Sequence, residues 1–373
     1  MNEIIIRRVE NKSDEKLFLK LPYDVIYKNN PFWVPPLYQD RKKLIDKKNN
    51  PFYKHSKAEF FIALENEKVV GRIGAIVNDS HNLEHNDKIG FFGFFESIDN
   101  QTVANKLFDE AKNFLIQNGM TIMRGPANPS VNDEYGLLVN AFNLPPVVLM
   151  TYNPEYYIGL IENYGFKKEK DLYAYLLKKE NVFTEKFLRI TKLLKERNSI
   201  SIRPMNMKKF NDEVEIIKFL YNKAWAKNWG AVPMTDDEIA LMAKDMKQIV
   251  EPNLVLFAER LGKVVGFSLS LPDINIPLKF NKSGNLLTGL YHILTKKKKI
   301  DTVRVLVLGV LPEYRTTGVA TLLFYESAQN AMKLGYKFGE GSWILEDNLM
   351  MNRAAEALQG ERYKTYRIYQ MDI

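Results

Sequence analysis

Phe60–Asp79, FFIALENEKVVGRIGAIVND, alternates apolar and polar positions around a polar break at Glu65–Lys68. Alternation at period two, interrupted by a short polar stretch, predicts strand, turn, strand. Leu254–Asn275, LVLFAERLGKVVGFSLSLPDIN, repeats the pattern, and both segments contain Lys-Val-Val-Gly. Gly71 and Gly266 stand 195 positions apart. Farther along, Tyr152–Phe166 has the apolar spacing of a helix that stops at a glycine turn, and Glu346–Tyr363 has the same shape. Asn153 and Asn348 are again 195 apart, as are Gly165 and Gly360. Three markers at one offset predict a tandem repeat.

Between the markers each copy reads strand, long helix, strand. The first runs KIGFFGFFE, NQTVANKLFDEAKNFLIQNG, TIMRGP; the second runs TVRVLVLGV, RTTGVATLLFYESAQNAMKLG, YKFGEGSWIL. The helix pair aligns locally at an offset of 216, matching Ala104 with Ala320 and Leu107 with Leu323. The change of offset reflects loops of different length. Residues 276–300 are an insertion in the second copy, and ANPSVNDEYGLLVNAFNLPP is one in the first. Phe183, Phe187, Ile190, Leu193 and Leu194 recur at helical spacing, which predicts a connecting helix over 181–198. The expected domains are therefore 1–180 and 199–373, both of mixed α/β class.

One stretch carries chemistry: VLPEYRTTGVATLLFYESA, Val310–Ala328. An apolar strand ends at Val310, Pro312 breaks it, and a helix opens at Arg315-Thr316-Thr317-Gly318-Val319-Ala320. A helix N-terminus offers unpaired N–H groups and the positive end of a dipole. Gly318 removes the Cβ that blocks close approach of a phosphate, and Arg315 adds a forked cation. No Gly-Lys-Ser/Thr follows, so this is no nucleotide-hydrolase loop, and a single glycine is no dinucleotide fingerprint. The bland alternative is an ordinary glycine-containing helix start.

Composition narrows the setting. The chain has no cysteine, so it has neither disulfides nor thiolate metal sites. No apolar run approaches the ~20 residues that span a bilayer, and the N-terminus lacks a secretion signal, which makes cytoplasmic the expected location. The net charge of +8 suits anionic partners. Acidic residues are well mixed with the basic ones, so nucleic acid is not expected. His81 and His85 have ligand spacing without a third donor, and no metal is expected.

The segment Arg315-Thr-Thr-Gly318-Val-Ala320, preceded by Val310-x-Pro-x-Tyr-Arg, resembles the acyl-CoA signature Arg/Gln-x-x-Gly-x-Gly/Ala of the GNAT superfamily of N-acyltransferases. Pro31–Leu37, Asn50–Phe52, Gly90–Glu96 and Ser342–Asn348 are similar to patterns of its bacterial YghO-like tandem group. The resemblance implies two tandem GNAT-like domains. Each would be a mixed β-sheet splayed at one point and flanked by helices, with the pantetheine of acetyl-CoA or another acyl-CoA entering the splay. Backbone groups at Leu308, Gly309 and Val310 would pair with the pantetheine amides. Arg315 to Ala320 would cradle the pyrophosphate, and Asn348 would help hold the arm. The first copy has Asp99 and Thr102 in place of Arg315 and Gly318, so it is expected not to bind CoA.

The implied reaction is direct acyl transfer to an amine. The superfamily's tyrosine acid is missing at both plausible registers, where Ala355 or Gln359 stands. Tyr363 is a substitute acid or a packed strand residue. Glu340 and Glu346 are candidate bases, and Glu346 is alternatively a helix cap. The acceptor, a small-molecule or lipid amine, is expected between the two domains. Asn128, Ser130, Asn132 and Asp133 cluster on one long loop, which is either a substrate loop or an Asx-rich turn. Trp225, Asn228 and Trp229 either wall the acceptor pocket or pack in the core. Leu286, Leu287, Leu290, Ile293 and Leu294 form a helical stripe that ends at Lys296–Lys299. That stripe is either a packed helix with a solvated lysine turn or an interfacial helix that meets lipid headgroups. A non-catalytic acyl-CoA binder is the rival to an enzyme.

Overall fold

A computed structural model describes residues 3–197, 199–225 and 228–373. Asn198, at the end of the expected connecting helix, and Ala226–Lys227, inside the expected acceptor stretch, lie outside the described residues. In chain order the longer strands are β1 (Ile4–Arg8), β2 (Ser56–Glu65), β3 (Lys68–Asn78), β4 (Ile89–Ser97), β5 (Ile122–Gly125), β6 (Lys167–Lys178) and β7 (Ile200–Pro204). They continue with β8 (Val255–Arg260), β9 (Lys263–Pro272), β10 (Thr302–Val310), β11 (Phe338–Leu345) and β12 (Glu361–Asp372). The helices used below are α1 (Lys12–Leu21), α2 (Gln101–Gln117), α3 (Tyr157–Tyr164) and α4 (Glu185–Arg197). They are followed by α5 (Phe210–Trp225), α6 (Leu286–Lys296), α7 (Val319–Lys333) and α8 (Leu349–Ala357).

The chain forms two compact units. The first comprises Met1–Leu172, Pro277–Lys297 and Lys364–Ile373; the second comprises Tyr173–Ile276 and Lys298–Tyr363. Strands β6 and β12 therefore each supply residues to both. In the first unit the strand order is β1-β2-β3-β4-β5-β12, antiparallel except for the parallel pair β4–β5. In the second it is β6-β11-β10-β9-β8-β7, with β10–β11 parallel.

The repeated glycine has a packing cause. A Cβ on Gly71 would lie 2.9 Å from Val103 at the start of α2, and one on Gly266 would lie 3.1 Å from Val319 at the start of α7. Each glycine lets the first turn of its unit's long helix rest on the sheet. Helix α2 then buries Val103, Ala104, Leu107, Phe108, Ala111 and Leu115, a stripe at i, i+3 and i+4 spacing. Helix α7 buries Val319, Leu322, Leu323, Ser327 and Ala331 in the same way.

The two helix starts differ. Asn100 caps α2, its side chain accepting from the N–H groups of Thr102 and Val103. Gly318 caps α7 with φ +84° and no side-chain hydrogen bond. Only glycine adopts that left-handed backbone without strain. A Cβ there would also sit 2.5 Å from Leu194 of α4, so the connecting helix leans on this turn.

Candidate functional site

Strands β10 and β11 pair only over Thr302–Val305 and Phe338–Gly341, although both run on for several residues. They part there. The apolar positions Leu306, Val307 and Leu308 are half-exposed on an otherwise internal strand. Apolar backbone with free N–H and C=O groups along one edge is what an extended amide-bearing ligand pairs with. At the far end of that edge stands the turn Arg315–Ala320.

The matching strands of the first unit also stop pairing early, at Phe91 and Arg124. Their gap is filled by the chain itself. Phe94 donates its N–H to Asn128 Oδ1 at 2.5 Å, and the Ala127 backbone presses on Gly93 so closely that no Cβ fits there. Phe91–Phe95 are all buried as a result. Asn128 Nδ2 donates to Glu134 Oε2 at 3.1 Å, and Arg41 grips that carboxylate with both Nη atoms, the Nη1 bond being 2.7 Å. Burial alone would raise the Glu134 carboxyl and lower the Arg41 guanidinium. The opposite charges and hydrogen bonds reverse both, leaving Glu134 below the usual carboxylate range and Arg41 raised.

The sequence-nominated residues fall as follows. Leu308, Gly309 and Val310 lie on the parted end of β10, and the Trp225 ring packs directly on Gly309. Trp225 ends α5, stacked on Tyr221 with ring centroids 5.0 Å apart. Asn228 donates its backbone N–H to the Trp225 carbonyl at 2.8 Å, and Trp229 is half-buried beside it. Arg315 is exposed and donates to the Ala224 carbonyl at 2.8 Å, and Thr316 is exposed. Thr317 Oγ1 donates to the Tyr314 carbonyl at 2.7 Å. Val319 is buried and Ala320 half-buried at the start of α7. Asn348 caps α8, accepting from the Met351 N–H at 3.2 Å. Glu346 is half-buried in the turn after β11. In the first unit Ser130 is buried, its hydroxyl donating to Asp133 at 2.7 Å and accepting from the Asn132 N–H at 3.1 Å.

Two of the candidate catalytic groups come together. Tyr363 donates its hydroxyl to Glu340 Oε2, and Ser342 donates to Glu340 Oε1 at 2.7 Å. Glu340 is fully buried and Tyr363 half-buried. Arg304, also buried, stands opposite Glu340 in the strand register and donates Nε to Ser342 Oγ at 3.0 Å. The network sits on the last paired residues before the strands part.

Arg304 and Ser342 are functional candidates that the sequence reading missed. A lone Arg inside TVRVLVLGV was the available signal, since a charge in a buried strand needs a partner. Asn352 was missed too. Its Nδ2 donates to the carbonyls of Leu345 and Asn348 at 3.0 Å each, and its Oδ1 accepts from the Tyr175 hydroxyl at 3.0 Å, which fixes the turn that carries Glu346.

Among the described residues no group of three or more His, Asp or Glu side chains could hold a metal. His81 is buried against His85 and Phe91, and burial lowers its pKa to about 3.

No family model matches the chain. The bacterial ceramide synthase of Caulobacter vibrioides is 33% identical over 369 residues, which cover 97% of this chain and 96% of that protein. Protein YghO of Escherichia coli (strain K12) is 31% identical over 377 residues, 99% of this chain and 95% of that protein. Among solved structures, a tandem GNAT protein from the clavulanic acid biosynthesis pathway superposes with a TM-score of 0.58 at 12% identity, covering 99% of this chain and 98% of its own. A GCN5-related N-acetyltransferase from Sphaerobacter thermophilus gives 0.53 at 11% identity, covering 99% and 95%. The doubled, splayed sheet is thus a tandem GNAT fold, and the protein is an acyltransferase. It belongs to the YghO-like family that includes the bacterial ceramide synthase.

Proposed function

We propose that the chain transfers an acyl group from acyl-CoA to an amine, using one cofactor site in the second unit. The observation that carries this is the contrast between the two splays. In the second, apolar strand backbone is half-exposed beside an uncapped helix start and an exposed Arg315. In the first, the gap is filled by Ala127 and Asn128, the helix start is capped by Asn100, and Asp99 stands where Arg315 would.

When bound, acyl-CoA supplies the acyl group as a thioester. The protein's tasks are to hold it and to move protons. The N–H groups at the start of α7 and the Arg315 fork hold the diphosphate. The free edge of β10 orients the pantetheine and polarises the thioester carbonyl. Tyr363 is the solvent-facing end of the buried pair, so it takes a proton from the attacking amine while passing its own to Glu340, and the same path returns a proton to the thiolate that leaves as the C–N bond forms and the C–S bond breaks. Ser342 and Arg304 keep the Glu340 carboxylate oriented.

Calorimetric titration with acetyl-CoA tests this reading. One site per chain is expected in the wild type. Arg315→Glu should weaken binding by about 10- to 100-fold, because it replaces a charge-assisted bond by repulsion. Two sites, or a variant that binds normally, would count against it. Thiol release across a panel of amines then separates an enzyme from a passive acyl-CoA binder.

The acceptor reading that a specific feature favours is a lipid amine at a membrane surface. Helix α6 exposes Leu287, Leu290, Tyr291 and Leu294, four residues on one face, and runs into Lys296–Lys299. An apolar face bordered by lysines fits an anionic bilayer. A relative called a ceramide synthase makes a lipid amide, which agrees with this choice. Co-sedimentation with vesicles containing anionic lipid is expected to fall at least about fivefold on Leu287→Ser/Leu294→Ser and to weaken with salt. Unchanged sedimentation would remove the membrane from the reading.

A further inference from the structure

The start of α7 is touched by a second helix of the same unit. Three side-chain atoms of Leu194 lie 2.5, 2.7 and 3.1 Å from the place that a Cβ on Gly318 would take. Gly318 belongs to the turn Arg315–Ala320 and opens α7 without a side-chain cap. Leu194 stands in the last turn of α4, so the carboxyl end of α4 meets the amino end of α7. The two ends carry opposite partial charges, about half an elementary charge each, and attract. In the first unit the start of the long helix is served differently, by the Asn100 side chain.

Helix α4 is held unevenly. Its first half is anchored on α7: Phe187 is buried against the Tyr325 ring, with centroids 6.0 Å apart, and Thr191 is 2% exposed. Phe183, just before the helix, packs on the same ring at 5.7 Å. The last turn is held more lightly. Leu194 is half-buried at the edge of the cluster that contains Ile200, Val319 and Leu322. Lys195 Nζ reaches Glu326 Oε1 at 2.6 Å and lies 4.6 Å over the Tyr325 ring, but the lysine is at the surface, where an ion pair contributes little. A joint between anchored and lightly held helix thus falls just after Thr191.

We propose that the last turn of α4 is an autoinhibitory strap, which covers the turn at Gly318 in the donor-free protein and is lifted by the diphosphate of acyl-CoA. The proposal rests on the acyl-CoA reading above. A diphosphate held by the N–H groups of this turn approaches Gly318 on the side that its missing Cβ leaves open, and Leu194 fills that side. The diphosphate also brings full negative charge to an end of α7 that α4 faces with partial charge, so the two compete for one set of donors. Lifting the strap consumes part of the binding energy, and the apparent affinity for donor is lower than that of a bare turn.

The test is calorimetric titration of the full chain with CoA, in the wild type and in Leu194→Ala, together with tryptic cleavage of the wild type followed by mass spectrometry. Leu194→Ala leaves less to displace and should bind CoA at least about fivefold more tightly than the wild type. Saturating CoA should speed cleavage at Lys192 and Lys195 at least about threefold relative to sites outside α4, because the lifted turn frays. The cleavage measurement needs no variant and stands on its own should Leu194→Ala disturb folding. A Leu194→Ala affinity for CoA within about twofold of the wild type's, or weaker, overturns the strap. So does cleavage within α4 that CoA leaves unchanged or slows, since the helix would then stay in place or close over the donor. Failure of CoA to bind the wild type instead overturns the acyl-CoA reading, so the two failures are distinguishable.

Discussion

Glu340→Gln should lower kcat for acyl transfer by about 10²- to 10⁴-fold, the usual contribution of a positioned acid–base group. Donor affinity should stay within about threefold of the wild type. Glu340 has no exposed surface, and both of its oxygens accept hydrogen bonds, from Tyr363 and Ser342. The amide keeps the shape of the side chain and can still meet both hydroxyls, but it cannot take up a proton. Tyr363→Phe should give a loss of similar order, since it cuts the same path at its outer end. A thermal melt decides whether either variant still folds, because Arg304 stands opposite Glu340 in register and loses a neighbouring charge. Steady-state rates within threefold of the wild type for both variants would remove this pair from the chemistry.

Arg41→Ala should destabilise the first unit by about 3–5 kcal/mol, read from urea unfolding, because it strands the Glu134 carboxylate without its cation. The pH dependence carries a sign that can be checked. Glu134 titrates below its ordinary range when folded, so its share of stability is fully present above the unfolded carboxylate pKa. That share is lost as pH falls through the lower folded value. The wild type should therefore lose stability on acidification through this window, and Arg41→Ala should lose less. The double variant Arg41→Met/Glu134→Gln should recover most of the deficit. An Arg41→Ala protein as stable as the wild type would show the pair to be idle. The pair matters beyond stability, because Glu134 also anchors Asn128, the residue that fills the first splay.

The doubling of the fold was legible because it depends on local rules. Gly71 and Gly266 are fixed by the close approach of Val103 and Val319, and that requirement survives divergence of everything around it. The turn at Arg315–Ala320 was legible for the same reason: a helix start, a glycine and a cation are adjacent in sequence. The Arg304–Ser342–Glu340–Tyr363 network was only half legible. Glu340 and Tyr363 could be nominated singly, but their meeting depends on strand order, and Arg304 enters through the register of β10 against β11. The plug in the first unit was not legible. Its loop read as a substrate loop or an Asx-rich turn, and only the three-dimensional path shows Asn128 bonded to Phe94. Asp99 could be read as unfavourable to a phosphate from its charge alone, while the occupation of that gap by the chain itself left no mark in local pattern.

Strand β12 has a consequence for how the two halves came to depend on each other. Its last stretch, Lys364–Asp372, lies in the first unit, separated in sequence from the rest of that unit by Lys298–Tyr363 of the second. On the ribosome the first unit must therefore wait, with the edge of β5 unpaired, until the second has been translated. A gene cut at the connecting helix would yield two fragments, of which the first lacks the end of β12 and the second lacks the end of β6. Each unit thus relies on a stretch of chain from the other's half of the sequence, so neither copy of the plan is a free-standing fold.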